Sequence, residues 1–60
     1  MTENETEIPE IESKEQADEF RERMRDELDD FDEAYELGDK AADEGKWTAR
    51  TIILDVGGSL

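Results

Sequence analysis

The sequence contains no cysteine and no histidine, and these two absences exclude several kinds of functional site. Without cysteine the chain has neither a disulfide framework nor a thiolate metal site. Without histidine it lacks the commonest metal ligand and the usual general base near neutral pH. Its serine, threonine and lysine residues show no arrangement that would activate a nucleophile. We therefore predict a non-enzymatic protein with no catalytic residues, no cofactor and no metal site.

Apolar residues are also scarce. The chain has 60 residues, of which 33% are hydrophobic and 7% aromatic. A chain this short buries only about 60% of the surface of its unfolded state, so it has room for one domain at most. Because disulfide and metal staples are absent, we expect part of its stability to come from a second copy or from docking on a partner.

Long apolar runs are missing as well. The longest is Ile52 to Leu54, whereas a helix needs roughly 20 apolar residues to cross a bilayer. The first residues show no basic region followed by an apolar stretch, so we see no secretory signal. A cytoplasmic location, or a place inside a virus particle assembled there, is the expectation.

Carboxylates are abundant, with 20 Asp and Glu residues against 7 Lys and Arg and a formal net charge of -13. Nucleic acids and anionic membranes would repel such a chain, and we expect neither as a direct partner. A protein partner with a basic surface would be attracted. The acidic excess runs through the predicted helix, which favours adaptation to a high-salt cytoplasm over general solubility or acidic disorder.

The first half of the chain predicts an acidic arm and one long helix. Residues 1–12 are polar and form the flexible arm. Residues 13–16, Ser-Lys-Glu-Gln, fit a capping box that starts a helix. Apolar residues then recur every three or four positions, which predicts an amphipathic helix over about 14–44. A break near Gly38 stays open, and Gly45 is an equally good stop.

The last part of the chain changes to a period of two. From Trp47 to Val56, β-branched and apolar residues alternate, which predicts a β-strand over about 47–56. A single strand has unpaired backbone donors and acceptors, so another chain must complete its sheet. The predicted fold is a minimal α+β module over residues 13–60.

We predict that the large apolar side chains of the helix and the strand form a binding surface, because such residues concentrate binding energy. The partner is a second copy or a different protein, reached by addition of the strand to a sheet edge. The protein would be a homo-oligomer or a subunit of a larger assembly, of halophilic or viral origin. The predicted partner-binding residues are Phe20, Met24, Leu28, Phe31, Tyr35, Trp47, Ile52, Ile53, Leu54 and Val56.

Two adjacent glycines near the end, Gly57 and Gly58, support an alternative. A short, acidic, partly helical chain with this pair resembles the prokaryotic ubiquitin-like modifiers. The resemblance implies a protein modifier or degradation tag that is conjugated through Gly58. The sequence departs from the family pattern because Ser59 and Leu60 follow, so conjugation would require their removal. It also lacks the strands of a ubiquitin-like roll.

Overall fold

A computed structural model describes residues 8–60, which form three helices. Helix α1 is Lys14–Glu27, α2 is Phe31–Asp43 and α3 is Trp47–Gly58. No β-strand occurs within residues 8–60, so the α+β prediction is wrong, and the domain is all-helical over this range. The predicted helix over 14–44 is two helices, and the predicted strand over 47–56 is helical. Consequently no strand within residues 8–60 requires another chain to complete it.

Helix α1 starts as the capping-box pattern predicts. The Ser13 hydroxyl oxygen accepts a hydrogen bond from the Gln16 backbone N–H at 3.2 Å. The Gln16 side-chain oxygen accepts one in return from the Glu12 N–H at 2.7 Å. Both bonds satisfy backbone donors that have no partner inside the helix, which confirms the predicted start. The helix ends at Glu27, and the next residue, Leu28, has an extended backbone.

The break between α1 and α2 lies at residues 28–30, well before Gly38. A second capping box causes it: Asp30 Oδ1 accepts from the Glu33 N–H, and Glu33 Oε1 accepts from the Asp29 N–H, both at 2.9 Å. Gly38 lies inside α2 and is buried, and a Cβ added there would lie 3.2 Å from Leu54 Cδ2. The glycine thus allows α3 to come close to α2.

Helix α2 ends at the predicted second stop. Gly45 has a φ of +78°, a backbone conformation that residues with a Cβ rarely adopt. The Lys46 N–H donates to the Ala41 carbonyl at 2.8 Å, and the Gly45 N–H donates to the Ala42 carbonyl at 3.0 Å. These two bonds form a Schellman motif, which satisfies the last carbonyls of the helix. The Gly45 stop is confirmed.

Helix α3 replaces the predicted strand because tertiary burial overrides local β preference. Ile52, Ile53 and Val56 are all buried, and this spacing puts them on one face of a helix. On a strand, Ile53 would point away from the other two. Burial of all three against one surface therefore requires the helical conformation, since a strand would need cover on both of its faces.

Helix α3 is the centre of the domain. It packs against α1 and against α2, whereas no pair of Cα atoms from α1 and α2 lies within 8 Å. Its close approach to α2 depends on Gly57, where an added Cβ would lie 2.5 Å from the Cβ of Ala34. The buried apolar core draws on all three helices and on the segment before α1. Its members are Ile8, Phe20, Met24, Leu28, Ala34, Ala41, Ala49, Ile52, Ile53 and Val56.

The segment before α1 also contacts the core. Ile8 is buried, and Ile11 packs beside the core. Lys46 Nζ donates a hydrogen bond to the Ile8 carbonyl at 2.5 Å and pairs with Glu44 at 3.0 Å. The described part of the predicted arm is therefore attached to the turn between α2 and α3. The rest of that arm, residues 1–7, lies outside the described residues, and its flexibility stays a prediction.

Candidate functional site

The structure divides the ten predicted partner-binding residues into a buried group, an exposed group and one half-buried residue. Six of them lie in the domain's own core and offer almost no surface to a partner: Phe20, Met24, Leu28, Ile52, Ile53 and Val56. Three keep half or more of their surface exposed: Phe31 at 50%, Tyr35 at 61% and Trp47 at 61%. Leu54 is half-buried. Only the second group and Leu54 are placed where another molecule can reach them.

The exposed residues lie on one side of the α2–α3 pair. Gly57 faces Ala34 and Phe31, whereas Gly38 faces Leu54 and Arg50, so the two helices run antiparallel. This arrangement brings the first turns of α2 next to the end of α3. We use the name aromatic face for the surface formed by Phe31, Tyr35, Trp47, Arg50 and Leu54.

The α2 half of the aromatic face is a pair of rings. Phe31 and Tyr35 are one helical turn apart, and their ring centroids lie 6.3 Å apart with the planes inclined by 38°. This separation is within the range of favourable aromatic pairs, which contribute about 0.5–1.5 kcal/mol beyond area burial. Phe31 also covers Gly57, so the pair is held in position by the α2–α3 contact.

The α3 half combines an aromatic ring with a cation. The Arg50 guanidinium carbon lies 5.9 Å from the centre of the Trp47 ring, which is a cation–π distance. Arg50 further lines a small cleft together with Tyr35, Asp39 and Leu54. This cleft joins the two halves of the face into one surface.

Negative charge borders the aromatic face on the α2 side. Helix α2 carries five carboxylates and one lysine, whereas α3 carries one carboxylate and one arginine. Glu36, Asp39 and Asp43 recur along α2 at spacings of three and four, and all are exposed. They line a shallow surface together with Lys40 and Ala42. We call these three carboxylates the acidic ridge.

A second concavity lies between the segment before α1 and α1 itself. It is lined by Pro9, Ile11, Gln16, Glu19, Phe20 and Arg23. Two of its polar side chains have local partners, since Gln16 caps α1 and Arg23 pairs with Glu27 at 3.2 Å. This concavity therefore presents no converging set of polar groups for a ligand.

Metal and membrane sites have no support in the described part of the chain. Residues 8–60 contain no cluster of carboxylates that could hold a metal ion. The three helices in this range are too short and too polar to cross a bilayer.

Sequence reasoning missed Arg50 as a member of the face. Its one-turn spacing from Trp47 was the available signal, but a strand prediction places residues three apart on opposite sides. The aromatic face is thus the one surface within residues 8–60 that combines exposed aromatic rings with a charged border. No protein-family model, curated protein or solved structure matches the chain, so its function has to be proposed from this surface.

Proposed function

We propose that the protein is a non-enzymatic interaction module that binds a protein partner through the aromatic face. One observation supports this most directly: Phe31, Tyr35 and Trp47 are exposed, and Arg50 links the two helices' rings, because it lies over Trp47 and lines a cleft with Tyr35. Exposed apolar patches with a polar border are typical of protein interfaces, where aromatic residues concentrate binding energy. The six buried residues of the predicted set have a structural role instead.

The exposed aromatic area is large enough to form the centre of an interface. Each aromatic side chain buries about 150–250 Å² when fully covered, so three half-exposed rings leave roughly 300 Å² available. Covering that area would contribute at most about 7 kcal/mol, before the cost of association is subtracted. A stable interface usually buries about 800 Å² on each partner. The remaining contacts would come from the border, including the acidic ridge.

A different protein with a basic surface suits this face better than a second copy. Two copies would each bring a net charge of -13, so they repel each other at low salt. Lysines and arginines on a partner would instead be attracted to the acidic ridge. Self-association stays a prediction for high salt, where the screening length falls from about 10 Å at 0.1 M to about 3 Å at 1 M.

Two features of the sequence-based hypothesis are not retained in the proposal. Strand addition has no basis, because residues 47–58 are helical. The modifier alternative gains no supporting observation, because Gly57 is buried in α3. Its close contact with Ala34 gives a packing reason for a glycine at that position.

Affinity capture from the source organism, followed by reconstitution, tests the proposal. The bait proteins are the wild type, the double variant Tyr35→Ala/Trp47→Ala, and a control with two exposed α1 carboxylates changed, Asp18→Asn/Glu22→Gln. A partner identified with the wild type is purified, and its affinity for all three is measured by calorimetry.

We expect the aromatic double variant to lose about 2 kcal/mol or more of binding free energy, as hot-spot residues do. The control should lose only a few tenths of a kcal/mol, because exposed charges contribute little singly. Circular dichroism checks that all three proteins are folded. Equal affinity of the wild type and the aromatic variant would rule out the aromatic face as the binding surface.

A further inference from the structure

We infer that the partner segment that covers the aromatic face is an amphipathic helix with an apolar stripe and lysine or arginine residues along one edge. This inference rests on the proposed function and specifies the chemistry of its partner. It depends on the shape of the α2–α3 pair, on the position of the acidic ridge and on the position of Arg50.

The shape of the face favours a helix. Phe31 and Tyr35 on α2, and Arg50 and Leu54 on α3, form two rows along antiparallel helices, and the groove between the rows includes the small cleft at Tyr35, Arg50 and Leu54. Such grooves accept the side-chain ridge of another helix. Helix α2 spans about 20 Å, which matches three to four turns of a bound helix. Within residues 8–60, helix α3 packs against two helices, whereas α2 packs only against α3. A partner helix on the face would be the second helix packed against α2.

The charges around the face specify the edge of that helix. The acidic ridge, Glu36, Asp39 and Asp43, follows one side of α2 at one-turn spacing, and its three carboxylates outnumber the one lysine on that surface, Lys40. Basic residues spaced three or four apart on the partner helix would meet these carboxylates in sequence. Arg50 lies on the α3 side of the face, where a second basic edge would meet a like charge. The basic residues therefore belong on the edge that lies over α2.

Three synthetic peptides of about five helical turns, without tryptophan, probe this inference. The first has a leucine stripe flanked on one edge by lysines. The second replaces the lysines with glutamates, and the third has the composition of the first in a scrambled order without a stripe. The fluorescence of Trp47 reports binding directly, because it is the only tryptophan of the chain and lies in the face. Calorimetry gives an independent affinity.

We expect the basic amphipathic peptide to bind and to shift the Trp47 emission to shorter wavelength. The acidic and the scrambled peptides should bind at least about tenfold more weakly, since each lacks one of the two required features. Equal binding of the scrambled peptide would overturn the inference, because attraction to net charge would then be sufficient. Equal binding of the acidic peptide would overturn the basic edge but not the face itself.

Two triple variants separate the acidic ridge from the overall charge. Glu36→Gln/Asp39→Asn/Asp43→Asn neutralises the ridge, and the matched control Asp18→Asn/Glu22→Gln/Asp26→Asn removes the same charge from α1. We expect the ridge variant to bind the basic peptide about tenfold more weakly than the wild type does, which is the combined effect of three exposed ion pairs. The control should bind it less than about twofold more weakly. Equal losses in the two variants would overturn the role of the ridge.

The outcome for the proposed function is distinguishable from the outcome for this inference. If no peptide binds, but capture of the natural partner still depends on Tyr35 and Trp47, the helix inference fails and the proposed function stands. If the basic peptide binds the variant Tyr35→Ala/Trp47→Ala as tightly as the wild type, the helix inference fails, and the affinity of the natural partner for the same variant decides the proposed function. Circular dichroism confirms that each variant keeps the helical spectrum of the wild type.

Discussion

Helices α1 and α3 have similar lengths but form for different reasons. Helix α1 has a capping box at Ser13, an acidic residue in its first turn, a basic residue in its last turn, and the ion pair between Arg23 and Glu27. Helix α3 has no side-chain cap at its N-terminus and no such charges at its ends. It buries five residues, however, whereas α1 buries two. The comparison shows that local signals specify α1, whereas contacts with the rest of the domain specify α3.

The largest expected effect comes from placing a charge in the buried face of α3. Ile53 is completely buried, so Ile53→Asp should cost more than about 4 kcal/mol and unfold the domain. The circular dichroism signal of α1 should disappear as well, because an isolated helix of this length has only marginal stability in water. Circular dichroism and thermal unfolding measure the effect.

The matched control for this substitution is Thr51→Asp, at an exposed position of the same helix. This variant should keep the fold, and its free energy of unfolding should fall by less than about 1 kcal/mol, because helix propensities differ by no more than that. If Ile53→Asp unfolds cooperatively at a temperature close to that of the control, α3 is not the centre of the domain.

The two glycines at the end of α3 should respond differently to substitution by alanine. An added Cβ at Gly57 would lie 2.5 Å from Ala34, so Gly57→Ala should destabilise the domain by about 1–3 kcal/mol. At Gly58 nothing lies within 4 Å of an added Cβ. Gly58→Ala should therefore be neutral or stabilise by up to about 1 kcal/mol. Urea unfolding compares the two, and equal effects would contradict the close α2–α3 contact.

Removal of the cap tests the local origin of α1. Ser13→Ala deletes the acceptor of the Gln16 N–H and should cost about 1 kcal/mol. Ser59 is the control, because it is an exposed serine whose hydroxyl donates to the Asp55 carbonyl at the end of α3. Ser59→Ala should cost less than about 0.5 kcal/mol, as most exposed substitutions do. An unchanged unfolding midpoint for Ser13→Ala would show that α1 too depends on tertiary contacts.

The smallest expected effect concerns the ion pair that joins α1 to α3. Arg21 and Asp55 are in direct contact, but both side chains are well exposed. Asp55→Asn should therefore cost only about 0.5 kcal/mol at low salt and less at high salt. Asp18→Asn removes an exposed carboxylate of α1 and provides the comparison for the change in net charge. A loss that persists in 1 M salt would contradict the screened, exposed character of the pair.

Local patterns in the sequence predict the start of α1 and the end of α2. Ser13 with Gln16, and Gly45, are signals that act through neighbouring backbone groups, and both are confirmed. The break at residues 28–30 was predictable in the same way, because Asp30 and Glu33 have capping-box spacing. The apolar residues keep their spacing of three and four across residues 28–30, so the pattern predicts one continuous helix. The structure instead has two helices, α1 and α2.

The candidate site was only partly predictable. Phe20 and Phe31 fit the same apolar pattern, yet Phe20 is 3% exposed and Phe31 is 50% exposed. The chain restarts its helix at Phe31 in a new orientation, so the stripe does not continue on one side of the domain. The sequence identifies these residues as apolar anchors. Which of them a partner can reach depends on how the helices pack.

By itself the sequence determined the absence of cysteine and histidine, the strong negative charge and the local helix signals, because these depend on composition or on residues within one turn. Only the tertiary structure decided that residues 47–58 are helical and that Phe31, Tyr35 and Trp47 share an exposed face. Period-two and helical spacings both occur in the segment that contains Ile52, Ile53 and Val56. The surfaces of α1 and α2 favour the conformation that buries all three, and no local pattern contains that information.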